Sequence, residues 1–270
     1  MTRIAHLSDL HFGSTEPRQL DALARILVAD GIDHAIVTGD ITQAGRKKEF
    51  REAAHWFAKL PMPVIAIPGN HDTPVHNLAR RFLEPWSRFE EIAGFQQEPI
   101  VRHRDFVFAG LNSARRMRPG LDWSKGKLST RQLEQIKPAF EEAGRRLRIC
   151  GFHHPLRGFD DGGSAGRAVL PKTDDILSVL TDAKVDVVMT GHVHKTRLLR
   201  MEHNGWSFVL SQAGTAVSTR LRGEPASYNV LTIESDREID LSVHRWNEEG
   251  FSAEGSVRFF RDEAGWRETP

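Results

Sequence analysis

Several things are scarce in this 270-residue chain, and each scarcity removes a class of protein. There is one cysteine, Cys150, so no internal disulfide framework can form, and the chain fits a reducing compartment. Cys150 itself reads as a small buried hydrophobe near a strand end. Charge of one sign is not in excess. The 37 Lys and Arg against 36 Asp and Glu give a formal net charge of +1, which offers neither a basic surface for nucleic acid nor an acidic tail. No apolar run approaches the roughly 18 residues of a membrane-crossing helix. Residues 1–7 enter a strand pattern without a basic stretch followed by a long apolar one, so no secretory leader is expected and a cytoplasmic location is. Internal repeats and low-complexity linkers are lacking too. A chain of this length buries roughly three quarters of its unfolded surface without staples. The simplest organisation is one domain over residues 1–270, with a core at 1–250 and an extension at 251–270.

What is present is an alternation of two periods. Residues 3–7, 34–38 and 63–67 read as short strands. Between them, residues 17–29 carry Leu20, Leu23, Ala24 and Leu27 at helical spacing, and residues 46–59 carry Phe50, Ala53, Ala54 and Phe57 on one face. Such βαβ units imply a parallel sheet covered by helices. Residues 74–92 read as helix broken at Pro85, 106–111 as strand, 115–127 as loop, and 129–143 as helix with Pro138 inside it. A strand at 148–152 runs into His153, and residues 160–166 form a loop. A helix at 174–183 and a strand at 185–189 follow, leading to Gly191. Beyond these the pattern becomes antiparallel, at 198–203, 206–211, 228–233 and 239–245, with Asn204-Gly205 as a hairpin turn. Residues 251–270 hold Trp and Phe but little periodicity.

Five clusters of metal-binding side chains sit where strand-like runs end: Asp9-Leu10-His11, Gly39-Asp40, Gly69-Asn70-His71-Asp72, His153-His154 and Gly191-His192-Val193-His194. Taken singly they are bland, since Gly-Asp is a common turn and Asp-x-His arises by chance. Taken together they are not, because a parallel sheet brings the carboxyl ends of its strands to one edge, where ligands bind. Asp, Asn and His supply oxygen and imidazole nitrogen without thiolate, which suits Zn, Mn and Fe. Asp9 and His11 are two residues apart, as are His192 and His194, so on extended backbone each pair points one way. Gly39, Gly69 and Gly191 let the chain turn tightly as it leaves a strand. Six or seven such ligands exceed the needs of one tetrahedral ion and suit two ions about 3.5–4 Å apart, with a carboxylate such as Asp40 between them.

The order of these motifs over residues 9–194 resembles that of the calcineurin-like metallophosphoesterases. The resemblance implies an α/β fold, an αββα four-layer sandwich: two mixed sheets face to face, helices outside, and a dinuclear metal site at the carboxyl ends of strands. It implies Asp9, His11, Asp40 and His194 as ligands of one metal. Asp40, Asn70, His153 and His192 would hold the second, with Asp40 shared and His153 preferred over His154. His71 matches a position that binds no metal and faces the scissile phosphate. Asp72 would sit behind it and orient the imidazole. The implied reaction is attack of a metal-bridging hydroxide on a phosphodiester, with His71 donating a proton to the leaving alkoxide.

HLSDLHFG at residues 6–13 and IPGNHD at 67–72 resemble the class III bacterial cyclic-nucleotide phosphodiesterases. Protein phosphatases of the superfamily carry Gly-Asp-x-x-Asp-Arg-Gly and Gly-Asn-His-Glu, whereas here Asp40 is followed by Ile41-Thr42-Gln43 and position 72 is Asp. Cyclic AMP is therefore the first expected substrate. A glycerophosphodiester, a nucleotide diphosphate ester and a lipid-linked diphosphate stay open. Asn112, Arg115, Arg116 and Arg118 lie in a loop that either reaches substrate or is solvated, and Arg220 and Arg222 pose the same choice. Trp123 and Tyr228 either stack a base or pack in the core. The expected partner is a small-molecule phosphodiester, with a homodimer as the assembly considered, no nucleic acid and no membrane span. A metal-binding scaffold without turnover is the non-enzyme alternative; the complete ligand set argues against it.

Overall fold

Strand pairing in the computed structural model, which describes residues 1–116, 124–158 and 169–269, produces two leaves. The first grows from β1 (Thr2–Leu7), α1 (Pro17–Ala29), β2 (His34–Thr38), α2 (Lys47–Phe57) and β3 (Val64–Ile67), in which β1 pairs parallel with β2 and β2 with β3. On the other edge of β1, β10 (Ser227–Ser235), β11 (Glu238–Trp246) and β12 (Phe251–Asp262) continue antiparallel. In the second leaf β5 (Phe106–Leu111), β6 (Leu147–Phe152), β7 (Val187–Thr190) and β9 (Trp206–Gln212) run parallel, flanked by antiparallel β4 (Ile100–Arg102) and β8 (Arg197–His203).

The period-2 alternation of the strands sorts the core. Ile4, Ile36, Ile65 and Ile67 pack between the leaves with Phe106, Phe108 and Phe208. Their neighbours Ala5, Leu7, Ala35, Val37 and Ala66 face the other way, against Leu23 and Leu27 of α1 and Phe50, Ala53 and Phe57 of α2. The second leaf is covered by α5 (Thr130–Glu134), α6 (Ile136–Ala139) and α7 (Thr173–Asp182), through Ile136, Ile176 and Leu180. The result is the αββα sandwich.

Two segments differ from the sequence expectations, and a third follows them. The helix expected at 129–143 is two short helices, because Pro138 has no N–H and its ring crowds the carbonyl of Glu134, where α5 ends. The expected break at Pro85 leaves α3 (Leu78–Leu83) and α4 (Ser87–Glu91), with Glu84 driven off helical geometry at φ −138° and ψ 56°. Residues 251–268, which show little periodicity, are not an appendage. They form β12 and β13 (Gly265–Glu268), and Gly265 pairs with Ser207 of β9, so this hairpin ties the two leaves together. Trp266, fully buried, and the partly buried Arg261 both donate to the Asp186 carboxylate, at 3.0 and 2.9 Å. Among the described residues no helix is long and apolar enough to cross a membrane.

Candidate metal centre

All five motifs begin within two residues of the carboxyl ends of β1, β2, β3, β6 and β7, so both leaves deliver them to one edge. There the chain must turn sharply to aim its side chains. Asp9, His11, Asp40, His192 and His194 adopt left-handed backbone, with φ of 53°, 51°, 51°, 76° and 57°. Left-handed geometry costs an L-residue free energy, and Asp and His are among the side chains that tolerate it. The turns interlock: Asp9 N–H donates to Gly39 O at 3.1 Å and His11 N–H to Asp40 O at 3.0 Å. Gly69 and Gly191 are required for space and not for φ. A Cβ on Gly69 would overlap the Asp40 carboxylate, and one on Gly191 would overlap the Ser8 hydroxyl and approach Asp9 Oδ2.

Two buried groups result, Asp9 with His11 and His194, and Asp40 with His153 and His192, each with ligand atoms within 4.8 Å of one another. In the first, Asp9 Oδ1 lies 3.1 Å from His194 Nε2 and 3.7 Å from His11 Nε2. In the second, Asp40 Oδ2 lies 3.3 Å from His153 Nε2, and His192 Nδ1 lies 3.1 Å from that same nitrogen. Asp40 Oδ2 is also 3.9 Å from His11 Nε2, so this one oxygen faces both groups. Its other oxygen accepts the His71 N–H at 2.8 Å, which fixes the carboxylate plane.

Side-chain chemistry shows whether cations fit. His153 Nδ1–H donates to Thr38 O at 2.7 Å and His194 Nδ1–H to Arg220 O at 2.7 Å. Each leaves Nε2 as the inward nitrogen, with its tautomer set by a backbone carbonyl as in metal-ligating histidines. His11 Nε2 and His194 Nε2 then face each other at 3.1 Å, an arrangement that needs a proton or a cation between them. Among the described residues, Asp9 Oδ1 and Asn70 Oδ1 are buried without a hydrogen-bond partner. Burial would raise Asp9, but His194 and the other histidines hold it well below the usual carboxylate range. Asp40 is likewise lowered against burial, chiefly by His153. Burial pushes His11 down and His192 down to about 3. Two ionised carboxylates beside neutral His11 and His192 form a donor set for divalent cations, and the two groups can hold two once His153, raised to about 9 by Asp40, gives up its extra proton.

Residues 2–196 match the calcineurin-like phosphoesterases. The chain belongs to this family. It is a metal-dependent phosphoesterase, and the resemblance carried by the five motifs holds. It is 25% identical over 256 residues to a protein of Synechococcus sp. named "Probable cyclic nucleotide phosphodiesterase", covering 89% of this chain and 91% of that one. A shorter match, 31% identical over 80 residues, links it to a glycerophosphodiester phosphodiesterase of Enterobacter lignolyticus, across 26% of this chain and 29% of the relative. A purple acid phosphatase from yellow lupin (Lupinus luteus) shares the fold at a TM-score of 0.72 and 15% identity, covering 97% of this chain and 54% of that one.

Around the metal groups of this phosphoesterase, the expected residues divide. Half-buried His71 stands with its ring 4.9 Å from that of His11, centroid to centroid, and its Nδ1–H donates to Gln43 O at 2.7 Å. The imidazole is thus oriented by a backbone carbonyl and not by Asp72. The Asp72 oxygens are taken instead by Ile41 N–H, Thr42 N–H, Thr42 Oγ1–H and Gly69 N–H, at 2.8–3.2 Å, which staples the second motif to the third. Burial and the Asp40 charge raise Asp72 to about 6.

Asn112 donates to Gln97 Oε1 at 3.1 Å, Arg115 to Gln132 Oε1 at 2.8 Å, and Arg116 to Phe82 O at 2.9 Å. Asn112 and Arg115 line a separate cavity of about 510 Å³ with Glu98 and Gln132. Arg118 and Trp123 lie outside the described residues, as do residues 160–166. Tyr228 is core: it is fully buried and meets His244 Nδ1 at 3.2 Å. Two contributors were not singled out by sequence, and a third, His154, was set aside there in favour of His153. Gln43 supplies the carbonyl for His71 and Thr38 the carbonyl for His153. His154 is the third: its Nε2–H donates to Ser124 O at 2.8 Å, its Nδ1 accepts from Ser113 Oγ at 2.8 Å, and its ring lies 4.5 Å from that of His192. Its sequence signal was membership of the His153-His154 cluster.

Proposed function

We propose that the chain is a dinuclear phosphodiesterase whose first substrate class is the 3',5'-cyclic nucleotides. The observation that carries the dinuclear site is Asp40 Oδ2 facing His153 Nε2 at 3.3 Å and His11 Nε2 at 3.9 Å, one carboxylate oxygen between two converging ligand groups. On this proposal Asp9, His11, His194 and Asp40 hold one ion, and Asp40, Asn70, His153 and His192 the other. The donor set suits Mn, Fe or Zn. Bound there, two such ions lower the pKa of water and offset the charge of a phosphoryl group. The protein's own contribution is orientation. Thr38 O, Arg220 O and Gln43 O fix three imidazoles by their Nδ1–H groups. With Nδ1 so committed, Nε2 is the His71 atom that gives a proton to the leaving alkoxide.

The cyclic-nucleotide assignment is supported by the 25% identical relative, which aligns along 89% of this chain. A glycerophosphodiester is the second choice, supported by the 80-residue match at 31% identity. The test is a kinetic comparison with Mn²⁺-loaded protein on bis-p-nitrophenyl phosphate, cyclic AMP, a glycerophosphodiester and a nucleotide diphosphate ester. The expected result is turnover of bis-p-nitrophenyl phosphate and the highest kcat/KM on cyclic AMP. Higher kcat/KM on the glycerophosphodiester overturns the substrate assignment. Absence of turnover, with no metal bound by elemental analysis, overturns the enzyme.

A further inference from the structure

One cation at this edge has no role in the site as derived so far. Arg220 lies between β9 and β10, in a segment clamped onto the first motif. Thr215 Oγ1–H donates to Asp9 O at 2.7 Å, Glu16 N–H to Val217 O at 2.8 Å, and Thr219 N–H to Ser14 O at 2.9 Å. The backbone of Arg220 is therefore fixed, and its carbonyl holds His194. Its half-buried side chain reaches back over the first group to place Nη1 3.2 Å from His71 Nε2 and 3.4 Å from Gln43 Oε1.

These partners are a poor match for a guanidinium. Neither is a carboxylate, and among the described residues no carboxylate lies within 4.0 Å of Arg220. Glu224, the acidic residue of the same segment, is engaged by Arg245 at 3.3 Å and Thr196 N–H at 3.0 Å. A guanidinium fork matches the paired oxygens of a phosphoryl group, and charge-assisted bonds to it are roughly twice as strong as neutral ones. The contact with His71 is also one that the proposed chemistry has to release. While Nη1–H occupies the Nε2 lone pair, that atom cannot carry the proton destined for the leaving group.

We propose that Arg220 is a substrate-binding residue whose guanidinium leaves His71 Nε2 for a non-bridging oxygen of the phosphodiester. In doing so it clamps the phosphoryl over the first metal group and frees His71 Nε2. This inference rests on the phosphodiesterase reading. It assigns to Arg220 alone what the sequence offered equally to Arg222, which is exposed.

The experiment compares wild type, Arg220→Ala and Arg220→Lys, all Mn²⁺-loaded, on bis-p-nitrophenyl phosphate, with inorganic phosphate as competitive inhibitor. Because the Arg220 carbonyl remains in Arg220→Ala, metal content should match wild type. Loss of a charge-assisted contact should lower kcat/KM roughly 10- to 100-fold and weaken phosphate inhibition by a similar factor. Added guanidinium chloride should restore part of the Arg220→Ala rate, and Arg220→Lys should fall between. In a His71→Ala background, Arg220→Ala should still weaken phosphate inhibition. If that second loss is absent, Arg220 acts only through His71 and the clamp is wrong. The clamp is equally overturned if Arg220→Ala stays within twofold of wild type, or loses metal along with activity. Failure of wild type itself to turn over the diester removes the phosphodiesterase reading instead.

Discussion

The two groups able to hold metal use the same side-chain types but are built differently. Asp9, His11 and His194 all sit on left-handed backbone and are buried. They are pinned from outside by the Arg220 segment, through Arg220 O and the Thr215 hydroxyl. Asp40, His153 and His192 combine two left-handed residues with one at a strand end, and His192 is only half-buried. Their support comes from both leaves: Thr38 O and the His71 N–H hold His153 and Asp40, and His154, tied to Ser113 and Ser124, lies against His192. One group is therefore held by a segment that also presents a cation to substrate. The other is held by a neutral imidazole, since burial and the neighbouring His192 keep His154 well below its ordinary pKa. The difference teaches that the first group is coupled to substrate contacts and the second to loop packing.

The largest effect should come from breaking what the two groups share. Asp40→Asn should leave the chain folded by circular dichroism and lower diester turnover roughly 10³-fold, because the bridging charge serves both ions at once. Elemental analysis should find fewer than two ions per chain. Two ions with near-normal kcat would show that the groups are independent.

A smaller, one-sided effect should follow from His154→Ala. Removing a group that orients a ligand typically costs 10- to 100-fold in metal affinity or activity, here roughly that much at the second site. Titration of metal-free protein with Mn²⁺ should then show one site close to wild type and one weakened. Equal weakening of both would mean that His154 serves the edge as a whole.

The sandwich and the convergence of the five motifs were legible in the sequence because both follow local rules: alternation along strands, helical spacing, and motif residues placed at strand ends. Asp9, Asp40 and His153 need only the carboxyl end of a strand to be brought together. What surrounds them was not legible, because it depends on which backbone carbonyl lands where. Gln43 O orients His71 from outside its own motif, a contact that side-chain identity does not encode. For the same reason Asp72, adjacent to His71 in sequence, faces the second motif in space. Arg220 lies 26 residues beyond His194, in a segment with no period to read, and only the fold shows that its side chain returns to His71. Strand β12 escaped because its exposed middle leaves few buried side chains to mark alternation.

The subtlest contrast is in protons. Burial alone would lower His153, but the Asp40 carboxylate at 3.3 Å outweighs it and raises this imidazole to about 9. Its extra proton lies on Nε2, the nitrogen a metal needs, between Asp40 Oδ2 and His192 Nδ1. His192, lowered to about 3, has no proton to give up near neutrality, and neither does Asp40, held below the carboxylate range. An ion entering the second group must therefore displace one proton from His153. The sign follows: below about pH 9 the proton competes with the metal, so affinity rises with pH, by up to about tenfold per unit, and levels off above. Chelator competition with Mn²⁺ at pH 6, 7 and 8 should show this slope. Calorimetry in buffers of different ionisation enthalpy should count about one proton released. His153→Ala should flatten the dependence at the second site, whereas His11→Ala, which disturbs only the first group, should keep it. A slope that disappears with His11→Ala and survives His153→Ala would place the exchangeable proton in the first group and reverse the contrast between the two.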